Sequence, residues 1–283
     1  LMACERLGDH LPAQDAGQLR QRLWQIRARR IVLATGAHEQ PLVFPGNDRP
    51  GVMLASAALA YAVRYGVLTG QRLVIGTGDD SAWHVARRLA ALGAAVTLVG
   101  VREGGPDGEG FEVVRGAAIA AANGRGRVRS VTVDLGGGRT RRIACDGVLM
   151  AGGWQPALHL HAHLGGKSVY DPARACFLPV AGSARAESVG ACAGAFDGSP
   201  PGSAGHPGDD TRRPAMRVAP RPGAAFVDFQ NDVKLADLDL ATREGFVSVE
   251  HLKRYTTTGM ATDQGKLSNL NALRRLADNL GRS

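Results

Sequence analysis

The sequence predicts an α/β chain built around a Rossmann-type nucleotide-binding unit, with a small α+β module at its C-terminal end. Three observations predict it. Residues 73–99 read as strand, glycine turn, helix and strand. Apolar runs that empty into small residues recur at 31–36 and 188–195. After a stretch crowded with proline and glycine, the pattern changes to short amphipathic helices from residue 226 onward.

The central unit carries the most detail. Leu73–Ile75 end in Gly76-Thr77-Gly78, and helical spacing then puts Ala82, Val85, Ala86 and Leu89 on one face. His84, Arg87 and Arg88 fall on the other face, Gly93 ends the helix, and 95–99 resume a strand. Such a turn can bring backbone amides and a helix N-terminus to a pyrophosphate. Ser81 stands where the third glycine of that fingerprint would be, and Asp79 and Asp80 lie where phosphate would arrive. A carboxylate caps a helix end as readily as a ligand does, so both readings stay open.

Bulk properties narrow the function classes. The chain has 283 residues, 44% of them hydrophobic, enough for one large or two modest cores. Its formal charge of +8 is almost all arginine, scattered or paired, and only 5% of residues are aromatic. A nucleic-acid binder calls for a clustered basic stripe with interleaved aromatics, so no nucleic-acid partner is expected. Cys4, Cys145, Cys176 and Cys192 form no Cys-x-x-Cys pair, which argues for free thiols and against a zinc or iron–sulfur site. His159, His161 and His163 alternate without an acidic partner, and no metal is expected there. No apolar stretch approaches about 18 residues and no signal-peptide pattern opens the chain. The expectation is a cytoplasmic protein without a membrane partner.

In chain order, 1–7 and 19–27 predict two strands joined through 8–17, with Leu23 and Trp24 packing on a neighbour. Residues 30–36 predict a buried strand ending in a glycine corner, 37–50 a turn-rich loop, and 52–65 a helix bracketed by Gly66 and Gly70. Residues 104–110 form a glycine-acid loop before a strand at 112–114, and 128–135 with 141–144 form a hairpin around Gly136-Gly137-Gly138. A strand follows at 148–152. The composition of 197–223, with six prolines, predicts a disordered linker. Beyond it come a strand at 226–228 and helices at 234–244, 249–255 and 269–280.

Several of these segments carry a family resemblance. Residues 23–59, with LATGAHEQPLVFPGNDRPGVMLASAA at their centre, resemble the α subunits of heterotetrameric sarcosine oxidases. Opine and amino-acid dehydrogenase α subunits share parts of that stretch. Residues 80–83, 152–161 and 164–166 fit the same pattern, and 225–270 fit it best.

The resemblance implies a two-dinucleotide-binding, disulfide-reductase-like FAD/NAD fold. It is incomplete, because the N-terminal part carrying the primary FAD glycine motif and the C-terminal tetrahydrofolate-binding domain of such subunits have no counterpart. Residues 1–71 would be part of an FAD-binding domain, 72–150 a nested NAD(P)-binding domain, and 151–196 the return to the FAD domain. The linker 197–223 would lead to a module at 224–283 facing a β subunit and its FMN. Implied cofactor contacts are Ala34, Thr35, Gly36, Ala37, Gly153, Trp154, Gly190, Ala191 and Gly194 for FAD. Gly76, Thr77, Gly78 and Ser81 would serve the nicotinamide nucleotide, and Lys253, Arg254, Thr256 and Thr257 the FMN phosphate. Gly100 occupies the position where an acidic residue would hold a ribose 2′-hydroxyl, and Arg102 could receive a 2′-phosphate or be solvated; NAD and NADP both stay open. The family helix expected before 112 is missing, which would thin one layer of the nested domain.

The implied function is that of a nucleotide-binding α subunit, alongside β, γ and δ subunits, in the oxidative demethylation of sarcosine to glycine. The β subunit would bind the amine, and this chain would supply no catalytic residue. Two alternatives are an α subunit of an opine or amino-acid dehydrogenase complex, and a non-catalytic interaction fragment or decayed gene product.

Overall fold

The computed structural model describes residues 2–8, 19–100, 107–180, 185–196 and 223–282. Arg102 and all of the expected linker except Gly223 lie outside those described residues.

Strands β1 (Met2–Arg6) and β2 (Gln21–Gln25) pair as an antiparallel ribbon. Leu23 and Trp24 do not pack on a neighbour as expected: they are 61% and 47% exposed. Trp24 Nε1 instead donates to Glu5 at 3.0 Å, and the Arg22 guanidinium lies 5.5 Å from its ring centre. Strand β3 (Ile31–Leu33) buries only Leu33. The fully buried strand expected there is not found, because among the described residues its one sheet partner is the parallel segment Ala186–Ser188.

The expected loop at 37–50 begins with a strand, β4 (Ala37–Glu39), and its next residues, Gln40 to Pro45, are all buried. The helix expected from residue 52 starts later. Residues Val52–Leu54 form β5, pairing in parallel with 148–150, and α1 runs over Ala55–Tyr65. Tertiary pairing overrides local periodicity here. Gly66 closes α1 in the left-handed region at φ 66°, returning its N–H to Ala62 O.

The central unit is as the sequence predicts, with β6 (Arg72–Thr77), α2 (Ser81–Ala91) and β7 (Ala95–Gly100) in right order. Strand β8 (Glu112–Val114) follows, with no helix between β7 and β8 among the described residues. Strands β9 (Ala118–Asn123), β10 (Ser130–Asp134) and β11 (Thr140–Ala144) make an antiparallel meander, of which β9 was not anticipated. Strand β12 (Gly147–Ala151) completes a five-stranded parallel sheet ordered β5-β12-β6-β7-β8. The sheet thus takes β5 and α1 from the expected 1–71 segment. Helices α1 and α2 cover one face through Ala55, Ala58, Trp83 and Leu89; the meander covers the other through Ile119, Val131 and Val133. Leu73, Ile75, Leu98 and Leu149 are buried between the sheet and the two helices, each contributing about 1.5–3 kcal/mol.

The chain leaves the sheet through β13 (Trp154–Pro156), which pairs antiparallel with β4. Helix α3 (His159–His163) and the hairpin β14 (Ser168–Asp171) and β15 (Cys176–Pro179) follow. Strand β16 (Ala186–Ser188) lies parallel to β3 and runs into a 3₁₀ turn at Gly190–Ala193. The C-terminal module holds β17 (Phe226–Asp228), β18 (Val233–Lys234), α4 (Leu235–Arg243), α5 (Val249–Thr256) and α6 (Asn269–Asn279). Val227, Leu238, Leu252 and Leu276 form its core, and Val43 from the 40–47 segment joins it. No described helix is long and apolar enough to cross a membrane.

Candidate functional site

Two strand ends make the first corner. Because β3 and β16 run in parallel register, with Leu33 opposite Ser188, the residues after each strand emerge side by side. Thr35 Oγ1 donates to Ala157 O at 2.9 Å, with Cys192 Sγ 3.1 Å away. Gly36 (φ +74°) and Gly190 (φ +61°) have no heavy atom within 4 Å of where a Cβ would stand. Their main chain is bare, Ala34 is exposed, and Ala37 is half-buried. Ala191 sits in the 3₁₀ turn and accepts from Gly194 N at 3.1 Å. Gly194 is different: a Cβ there would meet Leu178 Cδ2 at 2.4 Å, so its glycine serves hairpin packing. A flat, anionic cofactor fits the open Gly36 and Gly190 backbone, which a side chain would fill.

The turn between β6 and α2 is arranged otherwise. A Cβ on Gly76 would meet Ile119 Cδ1 at 2.6 Å and Leu42 Cδ1 at 2.9 Å, so the meander packs against this glycine. Gly78 N donates to Ala151 O at 3.2 Å, and Asp79 N to Thr77 Oγ1 at 3.1 Å. The Asp79 carboxylate accepts from Ser81 N at 2.9 Å and from Ser81 Oγ at 2.5 Å, and the residue is buried. Of the amides at this turn, those of Gly78, Asp79 and Ser81 are therefore engaged by the chain's own acceptors. A buried carboxylate already stands at the α2 N-terminus, and a phosphate at that turn does not fit beside it.

Between the two corners runs the β4/β13 ribbon. Glu39 on β4 is buried, and its Oε2 accepts from Ser56 N and Oγ at the start of α1. Burial pushes its carboxyl up to about 7 against the opposing pull of the two Ser56 bonds, with the Asp79 charge adding to the rise. A Cβ on Gly153 would lie 3.5 Å from Asp79 Oδ2. Trp154 is half-buried on β13, opposite Glu39. His38 and His159 stack at 6.2 Å, and burial, then the Lys266 charge, hold both imidazoles below their ordinary range. His161 points away into the fold, where its Nε2 meets Lys167 O at 3.0 Å. Among the described residues no group of three potential metal ligands converges.

Lys253, Arg254, Thr256 and Thr257 lie together at the C-terminal end of α5. The hydroxyls serve the chain itself, with Thr256 Oγ1 donating to Leu252 O and Thr257 Oγ1 to Thr256 O. Lys253 Nζ stands 3.9 Å from Glu250, and Arg254 is exposed. Sequence reasoning missed the polar residues that hold this module in place. Asp228 is buried and accepts from Gln230 N, Asn231 N, Gly259 N and Ser268 Oγ at 2.7–3.1 Å. Asn47, also buried, exchanges hydrogen bonds with Phe226 O (2.7 Å) and Phe226 N (2.9 Å). Beyond the local Asx turn to Gln230 and Asn231, the partners that lock these residues in place (Gly259 and Ser268 for Asp228, Phe226 for Asn47) lie far along the chain, so no local spacing marks them.

Residues 222–283 match the family model described as the sarcosine oxidase A3 domain. The chain is 42% identical to the sarcosine oxidase subunit alpha of Rhizobium meliloti (strain 1021), over 97% of this chain and 31% of that protein. It is 36% identical to the sarcosine oxidase subunit alpha of Corynebacterium sp. (strain P-1), over 99% of this chain and 34% of that protein. The fold also resembles the solved structure of L-proline dehydrogenase from P. horikoshii, with a TM-score of 0.62 and 18% identity, covering 90% of this chain and 54% of that one. The chain spans about a third of the length of the curated relatives it matches. Over that span it belongs to the sarcosine oxidase α-subunit family.

Proposed function

We propose that this chain is the nucleotide-holding part of the α subunit of a flavin-dependent sarcosine oxidase complex. In that complex a partner β subunit binds the amine and carries out its oxidation. The observation that carries the reading is the corner where β3 and β16 end, with bare backbone at Gly36 and Gly190 beside Thr35, Ala157 and Cys192. Ala34–Ala37 would take the pyrophosphate and ribose of FAD, and Gly190 and Ala191 the flavin side, with Gly153 and Trp154 closing the ribbon between corners. A bound flavin supplies a two-electron acceptor; the chain's own part is to seat it and exclude water. The nested unit would hold a nicotinamide nucleotide. Lys253 and Arg254, the two cations at the end of α5, would face the phosphate of an FMN shared with the β subunit. Sarcosine demethylation, a heterotetramer with β, γ and δ subunits, and a cytoplasmic setting belong to the same proposal. The A3 match over 222–283 favours it over an opine or amino-acid dehydrogenase α subunit, which usually lacks that module.

The test is reconstitution of the full chain with FAD, followed by absorbance and equilibrium dialysis. Ala34→Asp places a negative charge on an exposed position of the corner and should weaken FAD binding at least about tenfold without loss of folding. Wild-type chain that takes up no flavin, or an Ala34→Asp variant that binds it equally well, would overturn the reading.

A further inference from the structure

A groove of about 950 Å³ runs between α1 and α2, at the upper end of the roughly 300–1,000 Å³ typical of small-molecule sites. Each helix follows a strand of one parallel sheet, so the two rise in the same direction. Ser56 and Ser81 therefore share one end of the groove, and Arg64 and Arg88 the other. Trp154 stands on the wall at the serine end, His84 lies midway, and Val63 and Val85 give the floor its apolar character. From Ser56 to Arg64 the helix climbs about 12 Å at 1.5 Å per residue.

The charges are unbalanced. Asp80 is the one carboxylate on the lining, and it sits at the serine end. Arg64, His84 and Arg88 make no ion pair among the described residues. An aromatic wall at one end and two guanidinium forks at the other suit a ligand with a flat ring and a terminal anion. The neighbouring turn is poorly suited to that anion, because the Gly78, Asp79 and Ser81 amides are taken from within by Ala151, Thr77 and Asp79, and the Asp79 carboxylate is buried beside the helix end. The guanidiniums supply the positive charge that the helix N-terminus has lost.

We propose that the α1–α2 groove binds a nucleoside phosphate, its ring against Trp154 and its phosphate between Arg64 and Arg88. This deepens, and rests on, the nucleotide-holding reading of the nested unit; it shares Trp154 with the flavin reading but uses neither Gly36 nor Gly190. The site moves the anion from the tip of α2 to the far end of two facing helices.

Calorimetric titration of the full chain with ADP, 2′,5′-ADP, adenosine and pyrophosphate tests it. ADP should bind saturably and more tightly than adenosine or pyrophosphate alone. The double variant Arg64→Glu, Arg88→Glu should weaken ADP at least about tenfold, while Arg64→Lys, Arg88→Lys keeps part of the affinity and FAD uptake is unchanged in both. Tighter binding of 2′,5′-ADP than of ADP would support the site and identify a 2′-phosphate as its anion. The proposal is overturned if ADP fails to bind at millimolar concentration, if adenosine or pyrophosphate binds as well as ADP, or if charge reversal leaves ADP affinity intact. FAD uptake without ADP binding would sink the groove alone, and the converse would sink only the flavin corner.

Discussion

The Glu39 carboxylate caps helix α1 from a strand seventeen positions earlier, accepting from Ser56 N at 2.9 Å and Ser56 Oγ at 2.6 Å. Asp79 does the same for α2 through Ser81. The two N-termini that face the candidate cofactor region are thus each closed by a buried carboxylate of the chain itself.

Glu39 makes stability depend on pH. Its carboxyl is raised from 4.5 to about 7 chiefly by burial, so the unfolded chain releases this proton first. The contribution of this group is fully present below about pH 4.5 and is lost as pH rises through about 7, amounting to on the order of 3 kcal/mol. Glu39→Gln removes the titration. The stability difference between wild type and variant, read by chemical denaturation at pH 5 and pH 8, should move in favour of the variant as pH rises; a pH-independent difference would count against this assignment.

Asp228 organises the C-terminal module. Four donors from three segments converge on its carboxylate: the 230–231 turn, Gly259 and Ser268. Asp228→Ala leaves the two buried donors, Gly259 N and Ser268 Oγ, unmatched in the interior and should cost about 2–5 kcal/mol. Denaturant melts should show the loss, and proteolysis should cut first within 224–283.

Asn47 ties that module to the parallel sheet. It pairs with both backbone groups of Phe226, while Asn271 Nδ2 reaches Pro41 O at 3.0 Å. Asn47→Ala should cost about 1–3 kcal/mol and raise amide hydrogen exchange at Phe226 above that of β6. Exchange at Phe226 that stays at the wild-type rate would show that the clasp holds without it.

Gly76 answers to packing. Gly76→Ala pushes a methyl into Ile119 and Leu42 and should destabilise by about 1–3 kcal/mol. Shortening the neighbour in the double variant Gly76→Ala, Ile119→Val should recover part of that loss in thermal melts, which a glycine kept for phosphate contact would not do.

Sequence alone determined the β6–α2–β7 unit, because the near-continuous apolar run of a strand covered on both faces and the 3.6-residue spacing of a helix are patterns that a few residues reveal. It determined the module helices too, since Leu235, Leu238 and Ala241 point inward at helical spacing, as they do in the structure. It also carried the family, through motifs long enough to recognise. Tertiary structure decided the rest. Residues 52–54 became a strand because 148–150 lay free to pair with them. The turn at 76–81 reads alike whether phosphate or Asp79 fills it, and only the placement of Ile119, Ala151 and Asp79 distinguishes the two. Glu39, Asn47 and Asp228 were silent in the sequence for the same physical reason: a polar side chain buried among distant partners carries no period, and its role exists only once the chain has closed around it.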